Sequence, residues 1–234
     1  MSTRPTETSP RLLARVTGFV YLLDVPLVLP GLLSSGLIVP GDAAATANKL
    51  IANATLYRLG IVGDLLSTID LIVVVLLLYQ LLKPVNKPMA ALMVMFQLVA
   101  ASISVLNTLP QLAALQLVSD AGFLHGFTTE QVQALALFFL GLNSQGSTIA
   151  YIFWGLWLLP MGYVVFRSGF LPRMLGVLLV IACFGYLMES FGTVLGYNVT
   201  IAIVTAWGEL ALPLWLAIRG VNVDQWKKRT LVSA

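Results

Sequence analysis

Residues 59–82 read LGIVGDLLSTIDLIVVVLLLYQLL, and the six that follow are Lys83-Pro84-Val85-Asn86-Lys87-Pro88. As a helix rising 1.5 Å per residue, the first stretch reaches about 36 Å, enough to cross a hydrocarbon core of about 30 Å. It stops abruptly at the next six residues, because prolines and lysines cannot continue an apolar helix. An apolar run closed by a basic turn is the signature of a membrane span, and the same pattern organises the rest of the chain.

Working outward, further spans are expected at about 13–39, 89–110, 138–166, 173–196 and 199–219. Breaks fall at Pro40-Gly41-Asp42, Ser119-Asp120-Ala121-Gly122, Arg167-Ser168-Gly169 and Gly196-Tyr197-Asn198. Composition agrees: 59% of the 234 residues are hydrophobic and only 10% are charged, with a mean hydropathy of +0.92. A water-soluble domain of this size needs far more charge to cover its surface. The expected fold is an all-α polytopic transmembrane bundle of about six spans, forming a single domain over residues 1–234.

Basic residues resist translocation and so set the orientation. With the N-terminus inside, Arg4, Arg11, Arg15, Lys83, Lys87, Arg167, Arg173, Arg219, Lys227, Lys228 and Arg229 are cytoplasmic, and Lys49 and Arg58 lie outside. The split is 11 against 2 of the 13 Lys and Arg. Both termini are therefore expected in the cytoplasm. The first span reads as retained, because Asp24, Pro26 and Pro30 interrupt it and it is too long for a cleaved leader.

Two external stretches carry helix-start signals that predict a small helical cap. Asp42 can cap an Ala-rich helix running to about Tyr57. Thr128 and Gln131 fit a capping box that opens a helix leading into the fourth span. Residues 129–166 would extend about 57 Å if fully helical. That helix must project outward or break near Gly141-Leu142-Asn143-Ser144-Gln145-Gly146. The third helix is free to extend beyond Pro110 through Leu117.

Five of the ten acids fall inside spans: Asp24, Asp64, Asp70, Glu189 and Glu209. An acid near the centre of a membrane helix costs about 2.5–3.5 kcal/mol. Five together cost roughly 12–18 kcal/mol, comparable with the whole stability of a typical fold. They must face the bundle interior, carry a proton, or line a watery cavity. No Lys or Arg lies at matching depth; the nearest, Arg58, sits at the outer end of the second span and within reach of Asp64. Their helical neighbours are small or polar: Ser67 and Thr68 for Asp64, Gly185 and Gly192 for Glu189, Thr205 and Gly208 for Glu209. Asn143, Ser147 and Tyr151 form another polar row. Small residues at such positions let helices approach closely. Pro26 and Pro30 free backbone carbonyls beside Asp24, a feature of cation sites in broken transporter helices.

Several enzyme classes find no support. The single histidine, His125, cannot supply a His-rich intramembrane metal site, and the lone Cys183 reads as packing. Ser144 and Ser147 have no histidine partner for nucleophilic catalysis. Gly60-Ile61-Val62-Gly63-Asp64 departs from the Gly-Xaa-Gly-Asp of intramembrane aspartyl proteases at Val62, which leaves Asp24 with Asp64 or Asp70 as a formal pair. No phosphate-binding loop is present. The Trp226-Lys227-Lys228-Arg229 tail suits anionic lipid and is too short for nucleic acid.

Four phrases carry a family likeness: residues 37–48 (LIVPGDAAATAN), residues 81–87 (LLKPVNK), Phe153-Trp154-Gly155-Leu156-Trp157 and Ser168-Gly169-Phe170-Leu171-Pro172-Arg173. Together they resemble the bacterial membrane family named domain of unknown function 4386. The resemblance implies a multi-pass protein of the bacterial cytoplasmic (inner) membrane and carries no assigned catalytic or binding residue.

The leading expectation is a bundle that binds or transports a small cation, a proton or an amine, without a cofactor, in a polar cavity. The candidate residues are Asp24, Asp64, Asp70, Glu189, Glu209, Arg58 and Asn143. Alternatives are an intramembrane enzyme acting on lipid or peptide through a carboxylate pair, and a structural or accessory subunit. The lipid bilayer is the one partner the sequence requires, and the oligomeric state is open.

Overall fold

The structure is a computed structural model, and it describes residues 9–119, 126–197, 199–205 and 207–233. Arg4, His125, Asn198 and the break at Asp120, Ala121 and Gly122 lie outside the described residues. The described chain is all helix and turn. Its elements are α1 (Pro10–Ser35), α2 (Ala43–Ala52), α3 (Ala54–Leu82), α4 (Lys87–Leu106), α5 (Thr108–Ser119) and α6 (Thr129–Leu156). They are followed by α7 (Leu158–Ser168), α8 (Arg173–Val194), α9 (Ala202–Thr205), α10 (Trp207–Ile218) and α11 (Val223–Ser233).

Five helical segments are long and apolar enough to cross a membrane: Pro10–Ser35, Ala54–Leu82, Lys87–Ser119, Thr129–Ser168 and Arg173–Val194. Large apolar side chains such as Phe19, Leu32, Ile69, Met95 and Phe184 remain more than half exposed. An outward-facing apolar surface of that extent belongs in lipid rather than water. The protein is an all-α polytopic membrane bundle.

Prolines decide where the long segments bend. A proline removes the hydrogen bond to the carbonyl four residues earlier and clashes with it. Pro110 disturbs Leu106, and α4 gives way to α5 at Asn107. Pro160 disturbs Leu156, and α6 gives way to α7 at Trp157. Of the two alternatives for the long helix, a break near residues 141–146 is not the one taken: those residues stay helical, and the interruption falls sixteen residues beyond Gly141, at Trp157. Glycine lowers helix propensity by about 1 kcal/mol, whereas proline costs about 3 and removes a bond outright.

Of the sixth expected span, the described residues form α9 and the 12-residue α10, and Ala206 between them lies outside the described residues. Together they run back along α8. Gly185 leaves room for Thr205, and a Cβ on Gly208 would lie 2.8 Å from the Leu178 carbonyl oxygen.

Two start signals appear as the residues suggest. Asp42 accepts from the Ala45 backbone N–H at 2.8 Å, although α2 ends at Ala52 and Asn53 separates it from α3. Thr128 and Gln131 form the reciprocal box, with N–H to Gln131 Oε1 at 2.9 Å and N–H to Thr128 Oγ1 at 3.3 Å.

Contacts divide the chain into two compact units. One comprises residues 1–23, 70–100 and 151–234, the other residues 24–69 and 101–150. The first has a core of Trp157, Leu158, Met161, Leu179, Leu212 and Leu216, all almost fully buried. Within it a Cβ on Gly176 would stand 2.6 Å from the Gly162 carbonyl oxygen, so only glycines let α7 and α8 approach so closely. The second has a smaller core of Leu50, Tyr57, Ile61, Leu115 and Leu140, in which α2 packs on α5.

Candidate functional site

In the second unit, α1, α3, α5 and α6 enclose a cavity of about 70 Å³. Asp64 of α3 lines it with Ser34, Tyr57, Gly60, Gln111 and Asn143. The volume holds a few water-sized guests or one small cation. Glycine makes the space: a Cβ on Gly31 of α1 would stand 2.5 Å from Asp64 Oδ1.

The wall combines one carboxylate with hydroxyl and amide groups, not all of which are paired. Gln111 lines the cavity beside Asp64, and its Nε2 donates to Asn143 Oδ1 at 3.3 Å. Gln111 Oε1 and the Tyr57 hydroxyl are buried with no hydrogen-bond partner among the described residues. Tyr57 is only 3% exposed. A buried polar atom without a partner costs about 1–3 kcal/mol; the Gln111 oxygen calls for a donor, the Tyr57 hydroxyl takes either role, and the carboxylate favours a cation.

Asn143 is fixed from behind. Its Nδ2 donates to the Asn107 carbonyl oxygen at 2.7 Å, and Asn107 Nδ2 donates to the Asn143 carbonyl oxygen at 2.8 Å and to Ser147 Oγ at 3.0 Å. Asp24 accepts a hydrogen bond from Ser67 Oγ, and its carboxylate lies close enough to Asp64 for the two charges to repel. Thr68 bonds the Asp64 backbone carbonyl at 2.9 Å instead of its side chain. Arg58 is exposed.

The remaining acids belong to the first unit. Glu209 of α10 accepts from Tyr21 Oη at 2.6 Å and from Tyr186 Oη at 3.3 Å. Around them Tyr151 stacks on Trp154 with centroids 5.3 Å apart and meets Tyr186 edge-on at 5.9 Å. Glu189 Oε2 of α8 accepts from the Ile201 N–H at 2.9 Å, just before α9 begins. Asp70 is 8% exposed. Asp64 and Asp70, six positions apart on α3, thus fall in different units. Hydroxyls and a backbone N–H meet Asp24, Glu189 and Glu209, and an amide stands beside Asp64, where the sequence offers no basic residue at the same depth.

A family model described as "Domain of unknown function (DUF4386)" matches residues 16–220. The chain belongs to the DUF4386 family. An "Uncharacterized protein" of Archaeoglobus fulgidus is 32% identical over 173 residues, covering 73% of this chain and 88% of the relative. No solved structure matches. The DUF4386 match takes in all five intramembrane acids and Asn143, and brings no role for any of them.

Four residues of this DUF4386 chain escape a search for charged groups: Tyr57, Asn107 and Gln111 in the second unit and Tyr21 in the first. Asn107 and Gln111 stand one helical turn apart around Pro110 in an otherwise apolar run. That pairing of polar side chains with a helix break was a readable signal. Nothing in the sequence marks Tyr57 or Tyr21, whose hydroxyls gain meaning only from what packs against them.

Proposed function

We propose that this protein is a multi-pass bundle of the bacterial cytoplasmic membrane that binds a small N–H-bearing cation, ammonium or a primary amine, at Asp64. The observation that supports this reading is the composition of the 70 Å³ cavity. It joins one carboxylate to two buried oxygens that lack hydrogen-bond partners among the described residues. A cation with several N–H donors satisfies all three at once, and the carboxylate balances its charge. A transport role follows if the bound cation exchanges across the membrane.

The test is a thermal-shift titration of the purified protein with ammonium, methylammonium, potassium and sodium chlorides. Ammonium or methylammonium is expected to raise Tm beyond the matched salt controls, and Asp64→Asn to abolish the rise. Equal shifts with all four salts, or an undiminished shift in the variant, overturn the reading. Ammonium flux in proteoliposomes then separates transport from binding.

A second reading is a carboxylate pair acting on lipid or peptide, favoured by the proximity of Asp24 to Asp64. Asp24→Asn discriminates between them: cation binding at Asp64 persists in that variant, whereas a catalytic pair is destroyed.

A further inference from the structure

A second, larger cavity than the Asp64 site lies wholly within the first unit. It is an apolar groove of about 650 Å³ between α4, α7 and α8, lined among others by Met89, Phe96, Leu156, Phe166, Val177 and Ile181. Met89, Phe166, Val177 and Ile181 remain between 36% and 49% exposed, so the groove opens outward.

Its length and polarity both point to one kind of guest. Leu156 to Phe166 spans ten residues, or about 15 Å. That is half of a hydrocarbon core of about 30 Å, the depth of one leaflet. The three helices also run so that the groove has one charged end. Met89, Phe166 and Gly176 line that end, and Phe96, Leu156 and Ile181 line the other. Lys87 begins α4 two residues before Met89, and Arg167 follows Phe166 directly. The Arg173 guanidinium carbon lies 5.7 Å from the centroid of the Phe166 ring. Arg229 of α11 donates to the Arg167 carbonyl oxygen at 3.0 Å, adding a further cation to the same end. No residue lining the groove is itself charged, so the charge at this end comes from the flanking Lys87, Arg167 and Arg173.

We propose that this groove holds an acyl chain of an anionic phospholipid of the inner leaflet, with its phosphate among Lys87, Arg167 and Arg173. Arginine matches a phosphate through paired N–H donors and lysine adds a point charge. Tyr163, the polar side chain of the lining, suits the headgroup boundary. A neutral lipid fills the same hydrocarbon space but leaves the basic end without a counter-charge.

The experiment is native mass spectrometry of the full chain in detergent, titrated with phosphatidylglycerol and, separately, with phosphatidylcholine of the same chains. The wild type is expected to retain one phosphatidylglycerol in preference to phosphatidylcholine. A basic residue near lipid headgroups contributes about fivefold in affinity, so Lys87→Gln and Arg173→Gln are each expected to lower phosphatidylglycerol binding by about that factor and leave phosphatidylcholine unchanged. Arg173→Lys is expected to restore most of the loss. Val177→Trp, which fills the groove, is expected to abolish retention of both lipids. Ile181→Trp serves the same end if Val177→Trp does not fold. Equal retention of the two lipids by the wild type overturns the proposal. So does retention of phosphatidylglycerol at wild-type level in a folded groove-filled variant.

Discussion

Asn107 and Asn143 hold one another by exchange: the side-chain amide of each donates to the backbone carbonyl of the other, at 2.8 and 2.7 Å. The first carbonyl lies at the turn between α4 and α5, where Pro110 has interrupted the helix. Within a membrane, a backbone group at a helix break must find a partner inside the protein. Asn143 supplies it, and Gly146 makes room for the Asn107 side chain, since any Cβ there would collide with it.

Removing the Asn143 amide takes a partner from the Asn107 carbonyl, and removing the Asn107 amide leaves the Asn143 carbonyl with the Ser147 hydroxyl at 3.0 Å. Asn143→Ala and Asn107→Ala are each expected to destabilise the protein by about 1–3 kcal/mol. The double variant is expected to cost less than the sum, because both bonds belong to one exchange. Thermal unfolding in detergent checks this, and strict additivity contradicts the coupled pair.

The floor of the Asp64 cavity tests separately from its chemistry. Gly31→Ala places a methyl group 2.5 Å from Asp64 Oδ1 in the unrelaxed structure. The variant is expected to fold and to lose the ammonium-induced rise in Tm, as Asp64→Asn does. Glycine to alanine also favours a helix by about 1 kcal/mol. A loss of ligand response without a loss of basal Tm is therefore the diagnostic result.

Glu209 depends on its phenols unequally. Tyr21 is 2.6 Å away and Tyr186 3.3 Å, and hydrogen bonds to a charged group contribute about 1.5–3 kcal/mol. Tyr21→Phe is expected to lower stability by that amount and Tyr186→Phe by less. Equal losses in chemical denaturation would show that the shorter bond is not the stronger.

The N-cap of α2 gives a smaller and more local effect. Asp42→Ala removes the acceptor for the Ala45 N–H and is expected to cost about 1 kcal/mol. Hydrogen exchange of the first turn of α2 should accelerate while that of α8 does not change.

Orientation is testable at the turn of residues 83–87. Cys183 is free and buried, so a Cys183→Ser background carrying Lys87→Cys presents one accessible thiol. Membrane-impermeant maleimide is expected to label it in inverted vesicles and not in intact spheroplasts. Labelling in spheroplasts would reverse the proposed topology.

The fold class was open to inspection in the chain alone. Residues 59–82 are long and apolar enough to require lipid, and the prolines at 84 and 88 end the run wherever the chain is placed, because the constraint is local. The same holds for Asp42 and for Thr128 with Gln131, whose partners lie three residues away. Of the two outcomes open to the long helix, a break near residues 141–146 is not the one taken, since the weak propensity of glycine yields to Pro160, nineteen positions past Gly141.

The candidate site was only half visible. Intramembrane acids announce themselves by their cost, but cost does not reveal company. Ser67, on the same helix as Asp64, turns to Asp24 instead. Tyr21 reaches Glu209 across 188 positions, and Gln111 reaches Asn143 across 32. Sequence by itself determined that lipid is the solvent, that the chain is helical, and which side chains are expensive to bury. Tertiary structure alone decided which of those side chains meet, because a hydrogen bond depends on a few tenths of an ångström between segments whose separation along the chain fixes nothing about their distance in space.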